Sequence, residues 1–163
     1  MALLEKHLSV KKSKLPGAGR GLFTKVDIKK GTRIVEYKGE IVTWKEVEKM
    51  ADDRNGYVFY FNSKYCIDAW KTKKSVAHFA NDALGIVRMP GVRNNSEYVT
   101  QNKRCFIEAS RDIPKGSEIL VGYGGDYWRA IRYNVRLEQA DSKKKTVELP
   151  HHKAAKREGH SKK

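Results

Sequence analysis

The segment CFIEASRDIPKGSEILVGYGGDYW, residues 105–128, contains two apolar runs with the composition of β-strands and ends in a cluster of glycines and aromatic residues. The runs are residues 105–109 and 119–121, separated by the turn-like RDIPKG. Tyr123 follows the second run and has a glycine on each side. Because glycine has no Cβ, the backbone there can turn sharply and another group can come close. The stretch predicts either a phenol directed at a ligand or an ordinary turn at a sheet edge.

Similar apolar runs of strand length continue toward the amino terminus. They lie at residues 21–26, 33–37, 57–61 and 65–69. Residues 40–42 are predicted to continue the sheet, residues 44–50 to form a brief amphipathic helix and residues 76–83 a helical turn. A chain of 163 residues, 39% of them apolar, is long enough to bury one core. The pattern predicts a mainly β fold of several small sheets with few short helices.

Charge is distributed unevenly along the chain. The whole chain has 34 Lys/Arg and 19 Asp/Glu, which gives a net charge of +15. Residues 134–163 contribute nine Lys/Arg and four Asp/Glu and show almost no apolar periodicity, which is typical of a mobile basic tail. The chain is therefore divided into a folded domain at 1–133 and a tail at 134–163. This charge predicts that the Lys/Arg-rich tail binds nucleic acid. The alternative is that the charge only keeps the protein soluble.

Cysteine usage and the first residues of the chain indicate an intracellular protein. Cys66 and Cys105 are 39 positions apart within apolar runs, which fits neither a zinc site nor a disulfide framework. Both are expected to be reduced and buried. The opening MALLEKHLSVKK has too few consecutive apolar residues for a signal peptide or a membrane span. No membrane partner is therefore expected.

Two further stretches have the composition of ligand-binding segments. PGAGRGLF, residues 16–23, is rich in glycine, but a strand-like alternation follows it, whereas the glycines of phosphate-binding loops open a helix. It predicts a hairpin, or a loop whose backbone lies against a ligand. His78 and Asp82 have the spacing of metal ligands on a helix, but no second His or Cys pair supports a metal site. Asn81 is better suited to brace the backbone with its amide.

Four stretches taken together resemble a known family. They are GAGRGLFTKVDIKKGTRIVEYKGEIV (17–42), YCIDAW (65–70), HFAND (78–82) and residues 105–128. In order and spacing they resemble the SET-domain protein-lysine methyltransferases, which have a GxG loop before a strand, EYxGE and IDA strands, an asparagine-containing motif and an RDIxxGEE turn. The match covers about residues 10–130 and is most similar to the small stand-alone SET proteins of viruses and microbes. The resemblance implies a SET-domain fold with a knot-like carboxyl-terminal segment.

The resemblance also implies roles for individual residues. Tyr123 and Tyr37 would be catalytic, with Tyr123 directed at the transferring methyl group. S-adenosylmethionine would be bound by Gly17, Gly19, Arg20, Gly21, Leu22, Phe23, Asn81, Asp82, Tyr123 and Trp128. The substrate lysine would enter a channel lined by Tyr37, Tyr57, Val121 and Tyr127. No metal is implied.

The sequence departs from the family pattern at several positions. Asp82 stands where the family usually has His, and His78 stands where it usually has Arg. The three cysteines with which many relatives bind zinc and close the lysine channel are absent. Tyr127, Trp128 and Tyr133, or a second subunit, would have to close it, so monomer and homodimer both stay open.

The function implied is S-adenosylmethionine-dependent methyl transfer to a lysine of a basic, chromatin-associated protein, such as a histone or histone-like protein. Such a protein would lie in the nucleus or on the chromosome. The alternative is a catalytically weak SET scaffold that binds nucleic acid or nucleoprotein. Asp82 and the net charge favour the alternative, whereas Tyr37, Asn81, Tyr123 and the glycine-rich loop favour the enzyme.

Overall fold

The computed structural model describes residues 3–50, 57–60, 64–72, 75–85 and 87–125, together with positions 128, 136, 139 and 140. Within these residues, short strands pair in three small antiparallel sheets, and helical structure is limited to brief segments. The mainly β fold predicted from the sequence is therefore confirmed. No helix within the described ranges is long and apolar enough to span a membrane. The basic tail predicted at 134–163 lies outside the described residues, apart from positions 136, 139 and 140.

The chain divides into two compact units. The first unit comprises residues 1–39 and 71–122, and the second comprises residues 40–70 and 123–163.

The first unit begins with a β-hairpin that carries the glycine-rich loop. Strands β1 (Leu8–Lys12) and β2 (Arg20–Thr24) are antiparallel, and Lys12 lies opposite Arg20. Ser13 donates its N–H to the Gly19 carbonyl at 2.8 Å, so the seven residues 13–19 form the connecting loop. The hairpin predicted for this stretch is confirmed.

A three-stranded sheet contains the other strands of the first unit. Strands β3 (Arg33–Glu36), β7 (Ser96–Gln101) and β8 (Arg104–Ala109) lie in the order β3-β8-β7. The β7–β8 turn is two residues long, and both Asn102 and Lys103 have positive φ, of 50° and 58°. This geometry suits the right-handed twist of the paired strands.

The predicted strand at 119–121 is wrong. Residues 118–121 form only isolated bridges, because successive residues pair with different chain segments. Glu118 pairs with Phe23, Leu120 with Asn81, and Val121 with Ser96. The Val121 N–H donates to the Asn81 carbonyl at 2.8 Å, and the Ile119 N–H donates to the Leu22 carbonyl at 2.7 Å. This segment therefore joins the hairpin to the loop at Asn81 and to the start of β7 at Ser96 instead of extending a sheet. Its knot-like passage stays a prediction.

The second unit contains the third sheet and the α-helix. Strands β4 (Glu40–Thr43), β5 (Val58–Tyr60) and β6 (Tyr65–Asp68) lie in the order β4-β6-β5. Residues 40–42 thus pair with β6 and do not continue the sheet of β3, contrary to the sequence prediction.

Helix α1 (Trp44–Glu48) starts at a capping box. The Thr43 hydroxyl accepts from the Glu46 N–H, and the Glu46 carboxylate accepts from the Thr43 N–H. Val47 of this helix packs with Val58 and Cys66 in a buried cluster. Cys66 and Cys105 are both buried free thiols, as expected from the sequence.

Candidate active site

A buried carboxylate lies at the centre of the first unit's polar interior. Glu118 is 7% exposed, and its Oε1 accepts from the Ser13 hydroxyl at 2.7 Å and from the Asn81 amide nitrogen at 3.2 Å. Its Oε2 accepts from the Lys14 N–H at 3.1 Å. These three donors meet the hydrogen-bonding needs of a carboxylate that burial would otherwise penalise. Glu118 therefore ties the glycine-rich loop to the segment that precedes Tyr123.

Position 21 requires glycine because a side chain would not fit there, and not because of its backbone conformation. A Cβ at this position would overlap Oε1 of Glu118 and would lie 2.8 Å from its Cδ and 3.3 Å from the Asn81 amide nitrogen. Only a residue without a side chain lets the Glu118 carboxylate come this close to β2.

Asn81 braces the same region, as its residue type predicts. Its side chain is buried, and its amide nitrogen donates both to Glu118 and to the Arg20 carbonyl, the latter at 2.9 Å. Its own carbonyl accepts from the Val121 N–H. One residue thus bonds to the hairpin and to residues 118–121. Whether it also holds a cofactor stays a prediction.

Asp82 and Asn94 form a second brace beside Asn81. Oδ1 of the buried Asp82 accepts from the Leu84 N–H at 2.8 Å and from the Asn94 amide nitrogen at 2.9 Å. The Asn94 amide oxygen accepts from the Ala83 N–H at 2.8 Å. This Asp82 oxygen therefore holds its own loop, which is a structural use of the residue that replaces the family's His.

His78 has a packing role next to this loop. The imidazole is buried, and its ring centroid lies 4.2 Å from that of Phe79. The described residues contain no group of three or more potential metal ligands.

Asn95 was not identified from the sequence. Its amide nitrogen donates to the Glu118 carbonyl at 2.8 Å, and its amide oxygen accepts from the Leu120 N–H at 2.9 Å. The neighbouring Ser96 hydroxyl donates to the Leu120 carbonyl at 2.8 Å. The tandem asparagines at 94–95, next to a serine, are the signal that predicts such side-chain bonding to backbone.

The residues predicted for the cofactor loop differ in what they offer a ligand. Gly17 and Gly19 have φ of +71° and +69°, and a Cβ built on either would meet nothing within 4 Å, so their backbone is open to an approaching group. The Arg20 guanidinium is exposed and lies 5.6 Å from the Phe79 ring centroid. Leu22 and Phe23 are buried, so they offer a ligand their backbone only.

Tyr37 and Val121, predicted to line the lysine channel, are both buried in the first unit. Tyr37 follows β3, and its N–H donates to the Cys105 carbonyl at 2.8 Å. The Tyr98 hydroxyl is also buried. Burial, with Tyr37, Cys105 and Asp82 nearby, raises the pKa of Tyr98 well above its ordinary value, so this phenol stays protonated at working pH.

The second unit holds the other predicted site residues. The rings of Tyr123 and Trp128 are nearly parallel, with centroids 6.1 Å apart, and both side chains are buried. Tyr57 packs edge-on against Trp70, with centroids 5.1 Å apart. Tyr127, predicted for the substrate channel, and Tyr133 lie outside the described residues. The assignments of all these residues to a site stay predictions.

Comparison with known sequences identifies the fold family. The SET domain model matches residues 19–124, more than half of the chain. The chain belongs to the SET-domain family. The match begins at Gly19 in the glycine-rich loop and ends just after Tyr123, so it includes Asn81 and Glu118, whereas Ser13 and Lys14 precede it.

Individual relatives carry methyltransferase names. The chain is 30% identical to histone-lysine N-methyltransferase set-1 of Caenorhabditis elegans over 65% of this chain and 46% of that protein. It is 30% identical to histone-lysine N-methyltransferase ASHH1 of Arabidopsis thaliana over 75% of this chain and 25% of that protein. It is 27% identical to N-lysine methyltransferase KMT5A-A of Xenopus laevis over 73% of this chain and 37% of that protein. The match thus spans less than half the length of each relative.

Proposed function

We propose that this SET domain transfers a methyl group from S-adenosylmethionine to a lysine of a basic, chromatin-associated protein, such as a histone or histone-like protein. The observation that carries the proposal is the buried Glu118 network, which fixes the glycine-rich loop, Asn81 and the segment leading to Tyr123 relative to each other within the first unit. Fixed orientation is the main requirement of an in-line methyl displacement. The names of the SET-domain relatives support the reaction class.

The residues of the glycine-rich loop fit S-adenosylmethionine. Gly17 and Gly19 leave open space beside their backbone, which suits close approach by a ligand. The exposed Arg20 guanidinium is a suitable partner for the ligand's carboxylate. Asn81 and Asp82 would hold the rest of its polar groups. When bound, the cofactor supplies an electrophilic methyl group on a cationic sulfur.

Two tyrosines are proposed to position the substrate lysine. The attacking amine must be neutral, although free lysine has a pKa of about 10.4. Aromatic walls that include Tyr37 would disfavour the ammonium by desolvation. The Tyr123 hydroxyl would orient the amine, and its stacking on Trp128 limits the positions that its ring can take.

The charge of one segment supports a basic substrate. Residues 40–70 carry six Asp/Glu against four Lys/Arg, whereas the whole chain has a net charge of +15. The sheet of β4, β5 and β6 is therefore built from the acidic part of the sequence. With a chromatin-associated substrate, the protein would act in the nucleus or on the chromosome.

Incubation with labelled S-adenosylmethionine and candidate basic proteins tests the proposal. We expect label in a lysine of a histone or histone-like protein. Tyr123→Phe should slow transfer by about a hundredfold or more, because one preorganised polar contact is lost. Its melting temperature and its stabilisation by the cofactor should match those of the wild type. Equal turnover by this variant would remove Tyr123 from the catalytic role.

The second candidate is a SET scaffold with weak catalysis that binds nucleic acid or nucleoprotein. The Asp82 carboxylate, bonded to its own loop, favours this alternative, because the family's His is missing there. Calorimetric titration with S-adenosylmethionine separates the two candidates, since a specific ligand stabilises the folded state by mass action. No heat of binding, together with unshifted melting, would support the scaffold.

A further inference from the structure

Two segments of the first unit carry positive charge and no negative charge. The β1–β2 hairpin, residues 8–24, and the loop at 83–95 together contain six Lys/Arg and no Asp/Glu. All six side chains are exposed. We call them the basic hairpin surface: Lys11, Lys12, Lys14, Arg20, Arg88 and Arg93.

An apolar cluster packs these two segments together. Leu15 of the hairpin loop is buried with Ala83 and Leu120, and Met89 and Val92 pack against the same cluster. Lys14 directly precedes Leu15 in the chain, while Arg88 and Arg93 flank the stretch from Met89 to Val92. The packing therefore brings Lys14 of the hairpin loop near the stretch that Arg88 and Arg93 flank.

Four other cations of the same unit are paired with carboxylates. Ion pairs join Arg33 to Glu108 at 3.5 Å and Arg104 to Glu36 at 2.7 Å, and two more lie at Lys29–Asp112 and Lys38–Glu5. Within the described part of the chain, none of the six surface cations forms an ion pair. These side chains are therefore available to a polyanion, which their positive charge attracts.

We propose that the basic hairpin surface binds the phosphate backbone of double-stranded DNA. This inference goes beyond methyl transfer and does not rest on it. Cations spread over a strand and a neighbouring loop suit a repeating row of phosphates, whose neutralisation releases counterions. Lys12 and Arg20, opposite each other across the hairpin, present charge on both of its strands.

The residue types of the surface favour a duplex over other anionic partners. Proteins that bind single strands stack bases on aromatic side chains, but the one aromatic residue in these two segments, Phe23, is 3% exposed. Insertion into a membrane uses several large apolar side chains. Of the described large apolar residues in these segments, only Val87, at 59%, is among the well-exposed ones.

Fluorescence anisotropy of a labelled duplex of about 30 base pairs, with the full chain as titrant, tests this surface. The variant Lys11→Gln/Lys12→Gln/Lys14→Gln removes three cations from it. The control Lys25→Gln/Lys30→Gln/Lys115→Gln removes three exposed lysines from elsewhere in the same unit. Both variants have equal net charge and keep residues 134–163, so only the place of the lost charge differs.

We expect the surface variant to bind the duplex about tenfold more weakly than the control at low salt. The slope of log Kd against log salt concentration should also be smaller for the surface variant than for the control, by about two to three. Arg88→Gln/Arg93→Gln should weaken binding in the same direction, and all variants should melt like the wild type. Equal affinity of the surface and control variants would overturn the proposal. So would single-stranded DNA of equal length binding more tightly than the duplex. A third result would also overturn the proposal: a surface variant that no longer binds vesicles of anionic phospholipid but still binds the duplex like the control.

Discussion

At the scale of single residues, the identity of position 21 is explained by a contact with a residue far away in sequence. Gly21→Ala would place a methyl group against the Glu118 carboxylate and the Asn81 amide. We expect the free energy of unfolding to fall by about 2–3 kcal/mol, as for overpacking of a close-packed interior. Urea denaturation measures this change. Gly125→Ala is the control, because a Cβ there meets nothing within 4 Å.

A double variant separates steric overlap from a general cost of losing glycine. If the overlap with Glu118 is the cause, Gly21→Ala combined with Glu118→Ala should lose less free energy than the two single losses added together. Additive losses would mean that Gly21 is required for some other reason.

Residue roles could be predicted from the sequence only where the residue type or a local motif indicated them. Asn81 was predicted as a brace from its amide side chain, and the HFAND stretch added the match to a family motif. Ser13 and Glu118 were missed, since their hydrogen bond joins positions 105 apart and no local pattern marks such a contact. Gly21 was assigned to the cofactor loop, but its need for space became visible only beside the folded position of Glu118.

At the scale of elements, the apolar runs of β6 and β8 and the periodicity of α1 were sufficient to predict them. Strands β1 and β7 were missed because LSVKK and SEYVTQ are short, largely polar and only partly buried. Residues 119–121 have strand-like composition, but their partners lie in three separate segments, which composition cannot indicate.

The segment 118–121 should depend on Asn95, which bonds to its backbone at two points. Asn95→Ala would leave the Glu118 carbonyl and the Leu120 N–H without these bonds. We expect the free energy of unfolding to fall by about 2 kcal/mol and the Leu120 amide to exchange faster with solvent. Denaturation and NMR hydrogen exchange measure the two effects. Thr100→Ala, at an exposed position of β7, is the control; a loss no larger than the control's would contradict the brace.

The ion pair between β3 and β8 predicts a pH dependence of stability. Arg104 donates two hydrogen bonds to Glu36, at 2.8 and 2.7 Å, and these bonds hold the pKa of Glu36 below its ordinary value of 4.5. A carboxyl group with a lowered folded-state pKa stabilises the fold above its unfolded pKa, and this contribution disappears as pH falls through the folded value.

Arg104→Gln should therefore lower the free energy of unfolding only slightly at pH 7, because the guanidinium is largely exposed. The difference from the wild type should shrink below pH 4.5. A remainder is expected at low pH from the lost stacking of Arg104 on the Phe106 ring, 4.9 Å away. Denaturation at several pH values measures this. Lys29→Gln, which breaks a more exposed pair, should change little; a difference independent of pH would contradict the electrostatic role of Glu36.

At the scale of the whole molecule, binding to nucleic acid should depend on the positive charge of the chain, whereas catalysis should not. Residues 134–163 contribute a net +5 of the total +15, and the basic hairpin surface lies in the first unit. Both regions should attract phosphate, and each should add its own share to the salt dependence of duplex binding. Neither residues 134–163 nor the surface lysines Lys11, Lys12 and Lys14 are assigned to the cofactor or to the substrate lysine, so turnover of a short peptide should not depend on them.

Ending the chain after Tyr133 therefore should weaken duplex binding and make its salt dependence shallower, while turnover on a short peptide stays close to that of the full chain. The truncated chain should still respond to Lys11→Gln/Lys12→Gln/Lys14→Gln, because that surface lies outside the removed residues. Anisotropy titrations at several salt concentrations and peptide methylation assays measure the two properties on the same samples. Loss of peptide turnover on truncation would instead assign residues 134–163 to closure of the lysine channel.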